Sequence, residues 1–363
     1  MMTSTFRLLI AGCALFAAAA VPAHAQSDIL LQLRSGSPQG DRFRVDSAGG
    51  FVALGQLGIG IVPASGPGER TLWYPFKGAF RSGSAGGSGS TAWDDANIGF
   101  YSWAGGYQSR ASAYASFAFG DQLVVTGVDA AAFGASNTVS GTVGFSAGNS
   151  NLCTAFACIA IGHTNRAAGQ GAVALGERVH ASADWAMALG RRAHAKHTGA
   201  FAWGDASTTD SIRSTANNQF SARAAGGYRF FSNATLTAGI TMNAGGSTWN
   251  AVSDRNRKEH FQAVDGEDIL VRLRRVPVTS WNYIAEGREV RHIGPMAQDW
   301  HAAFALNDDP LTINQGDFDG VNLAAVQALE RRTTEQAERI RALEAELGEL
   351  RALVSSRAAE RAP

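Results

Sequence analysis

The sequence predicts a mainly β protein: a parallel β-roll of fourteen-residue repeats, flanked by smaller β modules and followed by an α/β domain that ends in a parallel coiled coil. Three observations predict it. Gly120, Gly134, Gly148, Gly162, Gly176, Gly190 and Gly204 recur every fourteen residues without a slip, the mark of a solenoid whose repeats bury apolar surface only by stacking. Glycine is abundant, 42 residues, and charged residues make up only 17%, a balance that suits a turn-rich β protein better than a helical enzyme. Beyond Asn250 glycine thins out, charge appears, and the chain closes on an apolar seam spaced alternately by three and four.

Residues 1–25 read as a secretory signal peptide: Arg7 precedes the apolar run Leu8 to Val21, and Ala23-His24-Ala25 offers a small-x-small cleavage pattern. The mature chain is then expected to begin near Gln26, secreted or at the cell surface. Ile10-Ala11-Gly12-Cys13 offers a rival, lipoprotein processing with Cys13 as the acylated residue. A formal net charge of zero argues against a nucleic-acid partner. After the signal, no stretch reaches the ~18 apolar residues of a membrane helix.

Residues 26–105 form an N-terminal β module in this reading, and residues 205–252 a related neck module. The relation rests on Arg42 to Phe51 aligning with Gln219 to Tyr228, aromatic to aromatic across Ala-Gly-Gly, each followed by an alternating segment. Arg81 to Gly89, rich in Gly and Ser, reads as a loop. Trp73, Tyr74 and Trp93 fit either a carbohydrate-binding platform or core packing at a module boundary.

The roll spans residues 106–204. Each block reads small, apolar, small, apolar, Gly, as in Ala172-Val173-Ala174-Leu175-Gly176, so small side chains share one face of a strand and large ones the other. Glycine supplies a bend at positive φ, and asparagine-containing runs such as Asn149-Ser150-Asn151 and His163-Thr164-Asn165 supply turns in which Asn tolerates the left-handed conformation. One repeat is thus two short strands and two bends. Its two apolar faces require two burials, one inside the roll and one against another chain. Cys153 and Cys158 fall within one turn at positions expected to face packed interior, and in an oxidising compartment they form a disulfide candidate. Two buried free thiols are the alternative. No metal site is expected from two ligands without a matching histidine.

This ladder of Ala-φ-Ala-φ-Gly blocks, with φ an apolar residue, resembles the left-handed β-roll head of trimeric autotransporter adhesins of the YadA-like kind. The resemblance implies three rolls packed about an axis, and an adhesive role whose partner could be a host glycan or a surface receptor. The charged C-terminal helix departs from the barrel strands that anchor true autotransporters.

At Val252-Ser253-Asp254-Arg255-Asn256-Arg257-Lys258-Glu259 the composition changes. A Ser and a Lys can act as nucleophile and general base. The spacing alone argues against it, because five residues do not place two side chains on one helical face, and a Ser-Asp run before charges is more often a turn or cap. Ser253 to Glu259, the segment Ile269 to Val278, Trp281-Asn282-Tyr283 and His292 to Asp299 together resemble the intramolecular chaperone autoprocessing domain that ends endosialidase-type phage tail spikes. That resemblance covers residues 253–363. It implies a domain that trimerises, templates the folding of the β-rich stalk before it, and then releases itself. Carried over by position, Ser253 is the nucleophile and Lys258 its base, with the broken bond between Val252 and Ser253; Asp254 is structural. His260, His292 and His301 read as surface or core residues. No cofactor is implied. A sugar-cleaving spike is the rival, but it needs paired carboxylates, and Asp94 and Asp95 are among few upstream acids. An uncut structural fibre is the other.

The terminal helix can be read without any family. Val326, Leu329, Thr333, Gln336, Ile340, Leu343, Leu347, Leu350 and Val354 form an a/d seam over about residues 322–355. With Ile340 at a, Arg339 faces Glu344 and Glu346 faces Arg351 between identical parallel chains, pairs of opposite sign that favour a parallel homo-oligomer. The seam does not choose three chains over two. A single amphipathic helix packed on its own domain explains the seam but not the charge pairing.

Overall fold

The computed structural model describes residues 29–36, 39–88 and 90–360. The stretch read as a signal peptide, residues 1–25, and Cys13 with it, lie outside these. The chain divides into two compact units that meet in sequence between Val252 and Ser253.

The first unit is built on a β-solenoid. Each fourteen-residue turn contributes a five-residue strand, such as Ala131–Ala135 or Phe145–Asn149, and a short strand, such as Thr138–Val139 or Leu152–Cys153. The long strands stack parallel with every residue facing its counterpart fourteen away, Ala132 on Ser146, Ser146 on Ala160 and Gly134 on Gly148 among them. The short strands stack in the same way.

The two stacks enclose a flat core. Ala118, Ala132, Ala160, Ala174, Ala188 and Ala202 point inward from the long strands, and Val125, Val139, Cys153, Ala167, Ala181 and Ala195 from the short ones, all fully buried. Along the regular turns the long strands turn only alanine or serine inward. Cys153 and Cys158 are joined by a disulfide within this core, their Cα atoms 5.6 Å apart.

The glycines have two reasons to be there. From Gly106 to Gly190 each takes positive φ, for example +97° at Gly134 and +108° at Gly148. Each also lies under the next turn: a Cβ on Gly134 would sit 2.2 Å from the carbonyl oxygen of Gly148. The asparagines do something other than expected. The left-handed residues of these turns are Ser136, Ser150 and Thr164, while Asn137, Asn151 and Asn165 turn inward and are buried. There Asn137 Oδ1 accepts from the Asn151 backbone N–H (2.8 Å), and Asn151 Oδ1 from that of Asn165 (2.9 Å). Their Nδ2 groups donate to carbonyls of the ladder glycines, Asn137 to Gly148 at 2.9 Å and Asn151 to Gly162 at 2.8 Å. A buried turn must satisfy its backbone, and an inward amide does so between successive turns.

The stretch read as a loop begins as a strand. Ala79–Ser84 pairs antiparallel with Glu69–Tyr74 and parallel with Trp103–Tyr107. Gly83 stands opposite Gly106, and its Cβ would lie 2.2 Å from the Gly106 carbonyl oxygen. It is therefore an earlier rung of the ladder, hidden in the sequence by a longer connection. Arg81 takes the inward position, opposite Ala104. Fully buried, it donates to the carbonyls of Phe80, Ser102 and Ala111 and to Ser102 Oγ at 2.7–3.0 Å, and burial lowers its pKa to about 10. At the other end Phe220–Arg223 stacks on Phe201–Gly204.

The two aligned segments fold differently. Gln39–Asp46 pairs antiparallel with Phe51–Ala53 in a three-stranded sheet, whereas Phe220–Arg223 joins the roll and Tyr228–Phe231 opens a second three-stranded antiparallel sheet. Trp93 and Tyr74 are buried, Trp93 Nε1 donating to the Ser109 carbonyl at 2.9 Å, so these two pack the core, while Trp73 is 38% exposed.

The second unit is helical with one two-stranded sheet, Thr279–Trp281 against His292–Gly294. Helix α1, Gly266–Leu273, is capped by Asp265, whose carboxylate accepts from the N–H groups of Glu267 and Asp268. Helix α2 is Ala297–Phe304 and helix α3 is Gln315–Glu360. Ile269, Val276, Trp300, Phe304, Val321 and Ala325 form the core between them. Beyond that core the seam residues of α3 stay open, Val326, Leu329, Ile340, Leu343, Leu347, Leu350 and Val354 all 45–66% exposed. They do not pack on their own domain. Among the described residues no helix is long and apolar enough to cross a membrane.

Candidate active site

The residues after Val252 leave the β region without regular structure until a single 3₁₀ turn, Arg255–Arg257. Asp254 caps that turn: its Oδ1 accepts from the Asn256 backbone N–H at 2.9 Å, and its Oδ2 accepts from Arg257 Nε at 3.3 Å. The backbone hydrogen bond first, and then Arg257, hold the Asp254 carboxyl below its ordinary value. The cap reading and the pairing of Ser253 with Lys258 are therefore compatible. The turn is tight, the backbone is extended at Asp254 and Lys258 on either side of it, and Lys258 folds back. Its Nζ donates to Ser253 Oγ at 2.7 Å.

This contact is the geometry a nucleophile and its base require. Both side chains are exposed. A lysine acts as a base where burial disfavours its ammonium form, so the single chain supplies the distance but not the desolvation. On the other side of the junction, the Val252 N–H donates to the Gly239 carbonyl at 3.1 Å, tying the residue before Ser253 to the edge of the second antiparallel sheet.

The histidines of this unit have other partners. His292 Nε2 lies 2.8 Å from Glu286 Oε2, beside Trp281, and His301 Nε2 lies 3.0 Å from the Asn307 carbonyl. His260 is exposed at φ +56°. Upstream, Asp95 accepts from the Tyr74 hydroxyl at 2.8 Å and from Lys77 Nζ at 3.0 Å, which holds it below the usual carboxylate range. Burial, with Asp95 beside it, pushes Tyr74 up to about 12. Asp94 accepts from the Gly66 N–H at 2.6 Å. These acids brace the N-terminal hairpin and its loops. Sequence reasoning missed Arg81 and the inward asparagines, whose roles are structural.

No curated protein and no solved structure matches the chain. A family model does: that of peptidase S74, described as a chaperone of endosialidase, matches residues 253–307. The match starts at Ser253 and ends before α3. This stretch of the chain is thus similar to the chaperone of endosialidase, and a β-solenoid precedes it.

Proposed function

We propose that the chain is an exported fibre or head protein that assembles as a homotrimer of left-handed rolls, guided by a C-terminal intramolecular chaperone that releases itself at the Val252–Ser253 bond. The observation that carries this reading is the 2.7 Å hydrogen bond from Lys258 to Ser253, inside the segment similar to the chaperone of endosialidase. In the step, Lys258 takes the hydroxyl proton, Ser253 Oγ adds to the Val252 carbonyl, and the C–N bond breaks as the proton passes to the leaving amine. Water then hydrolyses the ester.

Two uncovered apolar surfaces support the trimer. The outer face of the long-strand stack carries Trp103, Phe117, Phe119, Phe133, Phe145 and Leu175, with Phe119 52% and Phe133 40% exposed. The seam of α3 is open along its length. A roll gains burial of its outer face only after its chains align, so loop-closure entropy is incurred ahead of the contacts. A coiled coil at one end makes the remaining association effectively intramolecular. Exposure of Lys258 in the protomer gives the sequence of events: association buries the pair, and cleavage follows.

That same exposure favours a second reading, an uncut chaperone that remains part of the fibre. Mass analysis of the purified chain beside Ser253→Ala and Lys258→Gln separates the two. The cleaving reading expects a fragment of 111 residues, Ser253 to Pro363, from the wild type alone. A folded trimer that stays whole removes it.

A further inference from the structure

The outward face of the short-strand stack carries a column of basic side chains. Arg166, His180, His194 and Arg213 occupy one outward position on four successive turns, each in register with the next. Earlier turns place Val124, Thr138 and Leu152 there. Strand neighbours lie about 4.8 Å apart, so the four cover about 14 Å in single file. The two imidazoles stack face to face, centroids 4.4 Å apart and planes 3° from parallel.

Among the described residues no ion pair joins an acid to this column. Lys196 adds a further cation, and it, Arg166 and Arg213 are exposed. Of the acids on neighbouring turns, Glu177 pairs with Arg191 at 3.3 Å, Asp205 with Arg223 at 2.8 Å, and Asp184 accepts from the Gln170 N–H at 2.8 Å, while Asp210 meets Arg223 through its backbone carbonyl at 2.7 Å. The groups acting on His180 are burial, Arg166 and Lys196; those acting on His194 are burial, His180, Arg213, Lys196 and the Arg178 backbone, with Ser211 Oγ 3.4 Å away. None is a carboxylate.

We propose that this column binds a linear anionic polysaccharide laid along the roll, its carboxylate or sulfate groups supplying the missing counter-charges. This names a ligand class for the adhesive role that the resemblance to trimeric adhesin heads implies, and it rests on the homotrimeric head proposed above. A single-file column one side chain wide fits one extended chain. The imidazoles add a pH response. Burial and the adjacent cations lower both pKa values, that of His194 to about 4. An anion favours their protonated forms, so binding takes up protons and strengthens as pH falls.

The test uses the full chain on immobilised dextran sulfate, polygalacturonate, neutral dextran and a single-stranded oligonucleotide. Binding is expected to the two anionic polysaccharides and not to dextran, to weaken steeply with salt, and to tighten as pH falls below about 6. The double variant Arg166→Gln, Arg213→Gln is expected to bind about tenfold more weakly, with a shallower salt dependence. His180→Gln with His194→Gln is expected to abolish the pH response. Leu152→Arg, which lengthens the column by one turn, is expected to tighten binding, a gain that misfolding cannot mimic. Preference for polygalacturonate or for dextran sulfate assigns the acid group. Undiminished binding by the arginine variant, no gain from Leu152→Arg, or tighter binding of the oligonucleotide overturns the proposal. Light scattering on the same samples separates the two readings: a binding monomer removes the trimer alone, and a trimer that does not bind removes this inference alone.

Discussion

Replacing Asn151 by Ala cuts the internal asparagine ladder near its centre. Asn151 is buried; its Oδ1 accepts from the Asn165 N–H at 2.9 Å, and its Nδ2 reaches the carbonyls of Ala147 (3.0 Å) and Gly162 (2.8 Å) and Asn137 Oδ1 (3.0 Å). Truncation leaves the Asn165 N–H without an acceptor in the interior, a cost of about 1–3 kcal/mol. The lost donors and the void add about 1 kcal/mol more, for a total of about 3 kcal/mol. Asn149 belongs to the same turn run but is exposed, accepting only from Ser150 Oγ in its side-chain contacts. Asn149→Ala is therefore expected within about 0.5 kcal/mol of wild type. Urea unfolding followed by circular dichroism gives the two midpoints, and hydrogen exchange reads the Asn165 amide directly. Asn151→Asp adds a pH signature. Its carboxylate would face three oxygens, which raises its folded pKa above the unfolded value of about 3.9. Its stability is then nearest wild type below that value and falls as pH rises. If Asn151→Ala behaves like Asn149→Ala, or Asn151→Asp shows no pH dependence, the ladder does not hold the turns together.

Ser146 stands where other turns place Ala, fully buried with an Oγ that has no hydrogen-bond partner; Ser146→Ala is expected to raise stability by about 1 kcal/mol in the same unfolding assay. Val143 is a β-branched residue at φ +57°, at a position where later turns carry Gly171 and Gly199. Val143→Gly relieves about 1–2 kcal/mol of left-handed strain against about 0.5–1 kcal/mol of added chain entropy, so a small rise in melting temperature is expected. Gly148→Ala places a Cβ 2.1 Å from the Gly162 carbonyl oxygen at φ +108°, and a loss of at least about 3 kcal/mol, seen as a lowered urea midpoint, is expected. Tolerance of that change would mean that the turns are not stacked as closely as described.

Much of the roll was legible because its signal repeats. Alternation within a block gave inward alanines and outward phenylalanines, and the open seam of α3 was legible in the same way. Arg81 to Gly89 misled because local composition resembles a loop, while the register that makes Gly83 a rung depends on Gly106, across a longer connection. The aligned segments around Ala48-Gly49-Gly50 and Ala225-Gly226-Gly227 misled for a related reason: the second copy has a roll strand to stack on and the first does not. At the candidate site, helical spacing counted against Ser253 and Lys258, since it does not foresee a capped 3₁₀ turn that brings them together.

By itself the sequence determined the period, the layering of small inside and large outside, and the break in character near Ser253. These follow from local alternation and from the steric demand that admits only glycine at a ladder position. Tertiary structure alone decided that asparagines rather than glycines tie one turn to the next, that Arg81 enters the core in place of an alanine, and that basic side chains from four turns form one column. Each of these depends on groups from neighbouring turns. A residue's own chemistry does not say which carbonyl, fourteen or more positions away, will lie across from it.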